Sequence, residues 1–142
     1  MNAVAPHLGF SQAIDLLEIE TARVPQVDCP TVHRFAGGVY FRETSAPAGT
    51  LVTTKIHLTE HPFMLLKGTV RVFTEGGGVV ELTAPYCGVT KVGTRRACYC
   101  VTDVVWVTFH ATESTDVAEI EKTLFLDYDH GGVKLEAALE AQ

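Results

Sequence analysis

No stretch of the 142-residue sequence approaches the roughly 20 consecutive apolar residues that cross a bilayer, so a membrane-spanning helix is not among its expected elements. Basic residues are scarce, 11 against 17 acidic ones, and the net charge of -6 has the wrong sign for a surface that follows phosphate backbones. Neither nucleic acid nor a membrane is an expected partner. The first ten residues, Met1 to Phe10, carry neither the basic stretch nor the apolar core of a signal peptide, which makes a soluble cytoplasmic protein the expectation. The sequence also lacks a phosphate-binding P-loop, a GxGxxG turn, a GxSxG nucleophile elbow and any CxxC pair, and with them the commonest nucleotide, hydrolase and thiolate-metal chemistries. Its four cysteines, Cys29, Cys87, Cys98 and Cys100, are expected as free thiols, because a chain of this length and apolar content does not need staples. Cys98 and Cys100 read as two small apolar side chains on one side of a strand.

What is present is a globular composition, 46% hydrophobic and 20% charged, in a length that fits one domain. Ser11 is a candidate cap for a short helix from Gln12 to Glu20, with Ile14 and Leu17 on one face. After Pro25 and Pro30 the rhythm changes to short apolar or alternating runs separated by turn residues. These runs are Val39 to Phe41, Leu51 to His57, Phe63 to Phe73, Val79 to Leu82, Ala97 to Val101 and Val104 to His110. So many strands without intervening helices mean a β-sandwich or barrel, with its core over about 33–112. Trp106, mid-strand among valines, is expected to be buried. Helical signals return over about 115–141. Asp116 with Glu119 makes a capping-box-like start for the stripe Val117, Ile120 and Leu124, and Val133 to Ala141 reads as a weak second helix.

The segment from Gly49 through Lys55, His57 and His61 to Gly68 resembles the first motif of the cupin superfamily. That motif runs glycine, five residues, H-x-H, three or four residues, glutamate, six residues, glycine. Both glycines fall at the family spacing and His57 matches the second histidine, while Lys55 stands for the first and His61 for the glutamate. A second match, Lys91-Val-Gly93-Thr-Arg95-Arg96, is similar to P-x-G-x-x-H with Arg96 in the histidine position. The resemblance covers about half the chain and implies an all-β, cupin-like jelly-roll barrel with short N- and C-terminal helices. Similar small chains occur in bacteria and in bacteriophages.

Residues two apart on a strand share a face, so Thr53, Lys55 and His57 point together, and the resemblance turns that face toward the barrel mouth. His61 follows His57 by four residues across a turn closed by Pro62, a spacing at which two imidazoles can approach one ion. In a jelly roll the last strand lies antiparallel to the one that His61 begins, which makes His110 the candidate third ligand. Three neutral imidazoles suit a divalent transition metal such as Fe, Zn, Ni or Mn. Arg96, in the second-motif histidine position, faces inward with Cys98 and Cys100, and needs an anion there: a carboxylate such as Glu43, Glu81 or Glu113, or a bound ligand. Lys55 would add a second cation. His7, His33 and His130 lack partners at ligand spacing and are expected on the surface. Two functions stay open at this point. One is a small-molecule-binding cupin, in some forms a metal-dependent enzyme acting on a polar or anionic ligand. The other is a non-catalytic ligand-binding or assembly module that has lost the metal site. Apolar strand edges and terminal helices point to a homodimer or larger assembly.

Overall fold

Turn residues and β-branched runs divide the chain into many short strands, and the computed structural model describes residues 9–76, 78–126 and the backbone of 132–134. In chain order the elements are α1 (Phe10–Thr21), β1 (Gln26–Val27), β2 (Thr31–Ala36), β3 (Val39–Ala46), β4 (Thr50–Thr53), β5 (Ile56–His57), β6 (His61–Lys67) and β7 (Thr69–Thr74). There follow β8 (Gly78–Thr83), β9 (Tyr86–Thr90), β10 (Arg96–Cys100), β11 (Val104–Ala111), α2 (Val117–Leu124), β12 (Phe125–Leu126) and β13 (Gly132–Lys134). The strands pair as a six-stranded sheet, β1-β13-β4-β10-β7-β8, a five-stranded sheet, β2-β3-β11-β6-β9, and the small pair β12-β5. All described pairings are antiparallel.

The two large sheets close on one apolar core. Ala46, Leu65 and Val104 come from the five-stranded sheet and meet Val70, Val72 and Cys100 from the six-stranded one. All four cysteines are free thiols. Asp116 caps α2 by accepting from the Glu119 backbone N–H at 3.3 Å, and the expected stripe delivers Ile120 and Leu124 against fully buried Tyr40.

Several boundaries differ from the sequence expectation, each for a local reason. The run Leu51 to His57 divides at Thr54 and Lys55, where the Thr54 N–H turns to the Arg96 carbonyl at 2.9 Å. The run Phe63 to Phe73 divides at Gly68, whose positive φ of 89° makes a turn. Strand β9 interrupts its apolar pattern with Gly88 and gives no clear run. Helix α1 starts two residues earlier than expected, at Phe10. Gln12 Oε1 accepts the Gly9 N–H at 3.1 Å, and Ser11, instead of capping, accepts from Arg95 at 2.7 Å. The C-terminal helix expected from Val133 is a strand at its start. Val133 pairs with Gln26 on one side and Leu51 on the other, so ladders to two strands prevail over a weak apolar stripe. The rest of that expected helix lies outside the described residues, as do His7 and His130. His33 is exposed as expected, and its Nδ1 lies 2.6 Å from the Tyr40 hydroxyl.

Gly68 provides a test of the β6–β7 turn. A Cβ there would strike the Asp103 backbone carbonyl and the Thr102 hydroxyl, at a φ that side chains rarely adopt. Gly68→Ala is expected to lower unfolding free energy by about 2–3 kcal/mol, read from urea midpoints. A loss under about 0.5 kcal/mol would contradict this turn.

Candidate functional site

Register brings the three candidate histidines together. His57 ends β5, His61 begins β6, and β11 runs antiparallel to β6 with Thr108 opposite Phe63, which carries His110 to the level of His61. The His61 and His110 ring centres are 4.4 Å apart, and those of His57 and His61 are 5.4 Å apart. All three are buried, at 6%, 3% and 5% exposure. His57 Nδ1 lies 2.7 Å from the Thr94 carbonyl and His61 Nδ1 3.1 Å from the Thr59 carbonyl. A carbonyl only accepts, so each Nδ1 carries the proton and each neutral ring keeps its lone pair on Nε2. His110 Nε2 is 2.9 Å from the Thr108 hydroxyl. His61 Nε2 and His110 Nδ1 are buried with no hydrogen-bond partner among the described residues.

Burial holds these rings neutral. Desolvation moves His57 from 6.5 to about 4 and His110 to about 3, and it lowers His61 as well. The positive charge of Arg42 and Arg96 adds to the effect on His61.

Between the sheets lies a cavity of about 180 Å³, lined by Lys55, His57, His61 and Arg96, with Arg42 from β3, Trp106 and Thr108 from β11, and Cys98 and Cys100 from β10. Among the described residues, no Asp or Glu lines it. Its cations differ in their partners. Lys55 Nζ is paired with Glu18 of α1 at 2.6 Å, and Arg42 lies 3.8 Å from Glu121. Arg95, pointing the other way from Arg96, reaches Asp15 at 2.7 Å and Glu18 at 3.3 Å. Arg96 donates to the Thr90 hydroxyl at 3.0 Å and lies 5.3 Å above the Phe63 ring, with no carboxylate ion pair among the described residues. The carboxylates considered from sequence are elsewhere: Glu43 pairs with Arg34 and Glu81 with Arg71. Burial pulls the Arg96 pKa down from its ordinary value.

Phe63 supports this arrangement from beneath. It stacks on Trp106 with ring centres 4.4 Å apart and planes within 8°. Gly88 on the adjoining strand makes room, since a Cβ there would sit 2.6 Å from Phe63 Cζ. Trp106 is half-buried rather than buried, because it borders the cavity instead of filling the core. Burial raises the Cys98 thiol to about 11, so at neutral pH it is protonated and a poor nucleophile or ligand.

The sequence candidates thus fall into one region, with His110 behind His61 and outside the cavity lining. Sequence reasoning missed Arg42, Phe63 and Glu18. Arg42 was within reach of it, since it alternates with Tyr40 and Thr44 on β3 and shares their inward side. Among the described residues, no group of three or more His, Cys, Asp and Glu side chains is arranged to hold a metal ion.

No family model and no curated protein matches the sequence. The similarity lies in the fold. A cupin superfamily protein from Desulfitobacterium hafniense aligns over 78% of this chain and 94% of its own, with a TM-score of 0.52 at 9% identity. An RmlC-like cupin from Shewanella frigidimarina aligns over 79% and 96%, with a TM-score of 0.52 at 13% identity. An RmlC-like cupin family protein with a double-stranded β-helix fold from Methanocaldococcus jannaschii aligns over 60% and 81%, with a TM-score of 0.52 at 8% identity. The chain has the cupin fold. Within that cupin barrel, Lys55 and Arg96 stand where the family motif has histidines, and no helix among the described residues is long and apolar enough to cross a membrane.

The neutral histidines make stability depend on pH in a definite direction. Their pKa values are lower folded than unfolded, so the folded protein binds fewer protons, and its stability is full above pH 6.5 and falls as pH drops through 6.5 toward about 4. For His57 alone the shift amounts to about 3 kcal/mol at pH 4. Unfolding free energies of wild type and His57→Gln, measured from pH 7 to pH 4.5, are expected to show a shallower decline in the variant. Equal slopes would mean a solvated His57.

Proposed function

We propose that this cupin binds a small anionic organic molecule inside its barrel, with Arg96 meeting the negative group. The observation that carries the reading is a cavity wall that, among the described residues, has three cations and no carboxylate, and in which Arg96 meets the Thr90 hydroxyl and the Phe63 ring. A buried guanidinium is costly until an anion joins it, and its planar fork suits a carboxylate or phosphate. Lys55, committed to Glu18, contributes positive potential more than a free donor. The His61 Nε2 lone pair asks for a hydroxyl or N–H on the same ligand. At about 180 Å³ the cavity is smaller than the roughly 300–1,000 Å³ of drug-sized pockets, so the occupant is a small molecule.

A second reading keeps the metal. It rests on the two unpartnered imidazole nitrogens, His61 Nε2 and His110 Nδ1, and on the carbonyl-held Nδ1–H groups of His57 and His61, the kind of outer support that orients metal-binding histidines. As they stand, however, the residues do not form a cage for an ion, and Arg42 and Arg96 repel one as they repel a proton on His61. The anionic ligand is therefore the favoured occupant, and no reaction step is assigned.

Trp106 supplies the readout. A panel of small hydroxycarboxylates and inorganic phosphate is expected to change its emission saturably, with affinity at least tenfold weaker in Arg96→Gln. Calorimetric titrations with Fe(II), Ni, Mn and Zn salts test the second reading in the same preparations. Carboxylate binding that survives Arg96→Gln unchanged would remove the anion reading, and stoichiometric metal binding lost in His61→Ala would put the metal in its place.

A further inference from the structure

Strand register grades the cavity from a charged end to an apolar one. Residues two apart on a strand share a face, and Arg96, Cys98 and Cys100 of β10 all line the cavity. At about 3.4 Å per residue, this lining runs roughly 14 Å from Arg96 to Cys100. The facing sheet is graded in the same way. On β11 the lining residues are Thr108, Trp106 and Val104, and their partners on β3 are Arg42, Thr44 and Ala46. One end therefore holds Arg96 and Arg42, and His61 lies there too, two residues before Phe63, which pairs with Thr108. At the other end Cys100, Val104, Ala46 and Val70 belong to the buried core cluster, against which Cys98 and Trp106 pack. Between the ends the threonine hydroxyls already bond within the wall. That of Thr44 lies 3.2 Å from that of Thr31, which donates to the Cys29 carbonyl at 3.3 Å.

We infer that the occupant is a short-chain aliphatic monocarboxylate, with its carboxylate on Arg96 and its hydrocarbon chain lying along β10 past Cys98 toward Cys100. This rests on the anion reading of the same cavity and narrows it. Charge sets the head group. Lys55 is paired with Glu18 and Arg42 lies 3.8 Å from Glu121, so of the three cations in the wall Arg96 is the one without a carboxylate among the described residues. One uncompensated guanidinium matches one carboxylate, whereas a phosphate dianion would bring a further charge without a partner into a buried space. The lining sets the rest. A polyhydroxylated or dicarboxylate body would leave its own polar groups unpaired against Cys98, Cys100, Val104 and Ala46. Thiols behave as small apolar groups in such a wall, and a hydrocarbon chain gains by leaving water for it. A hydroxyl next to the carboxylate falls at the charged end, where His61 Nε2 lacks a partner among the described residues. Size agrees. An apolar cavity of about 150 Å³ takes one benzene ring, and this one, at about 180 Å³, takes a carboxylate with a chain of a few carbons.

Calorimetric titration of the full chain with 2-hydroxy acids that share one head group and differ in chain length tests the inference. From lactate through 2-hydroxybutyrate to 2-hydroxyhexanoate, affinity is expected to rise about fourfold for each added methylene. Inorganic phosphate should bind at least tenfold more weakly than 2-hydroxyhexanoate. Arg96→Gln should weaken every acid of the series by a similar factor. Cys98→Leu, which fills the middle of the slot, should weaken 2-hydroxyhexanoate at least tenfold and lactate less than twofold. If Cys98→Leu fails to fold, Val52→Phe, at the lining position paired with Cys98, makes the same test. Equal affinities along the series, all weakened by Arg96→Gln, would keep the anion reading and overturn the chain pocket, as would a gain with chain length that neither filling variant reduces. Phosphate binding tighter than every acid would likewise keep the anion reading and overturn the monocarboxylate. Binding of none of these probes would overturn both.

Discussion

Arg96 has left water for a space between two sheets, and the groups around it are arranged to make that tolerable without cancelling its charge. A carboxylate at its side would neutralise it and close the cavity to anions. The fold gives it the Thr90 hydroxyl and the Phe63 ring instead. That leaves the guanidinium solvated by a dipole and a quadrupole, each weaker than an ion pair. Burial makes the three adjacent imidazoles neutral hydrogen-bonding groups, and the positive charge of Arg96 and Arg42 adds to the effect at His61. Gly88 belongs to this arrangement although it touches no cavity, because only its missing side chain lets Phe63 lie flat against Trp106.

Much of this was legible in the sequence, because it depends on alternation and turns. The pair Gly49 and Gly68 marked the strands around His57 and His61, and antiparallel pairing of the last core strand implied that His110 would approach His61. The step from Arg95 to Arg96 implied opposite directions, and the structure sends one to α1 and the other to the cavity. What escaped depends on contacts distant in sequence. Strand β13 exists because residues near 26 and 51 present two open edges to Val133, which no local pattern encodes. Strand β9 was hidden by Gly88, a residue that weakens a strand signal, and here it serves the packing of another strand's side chain.

Trp106 illustrates the limit of burial arguments made from composition. An aromatic residue among valines belongs inside, but inside a barrel there are two environments, packed core and cavity wall, and the sequence pattern is the same for both. What distinguishes them is the filling of the space opposite. On the six-stranded sheet, positions facing Trp106 include small Cys98 and Cys100, so the space stays open.

Glu18 makes two ion pairs at once, with Lys55 at 2.6 Å and Arg95 at 3.3 Å. Helix α1 is thus a counter-ion supplied by the chain itself. Without it, Lys55 and Arg95 would be two further cations lacking a carboxylate close to Arg96, in a molecule whose net charge is -6. The carboxylates of one short helix, Glu18 and Asp15, therefore set how much positive charge the chain leaves uncompensated on the Lys55 and Arg95 side of the barrel.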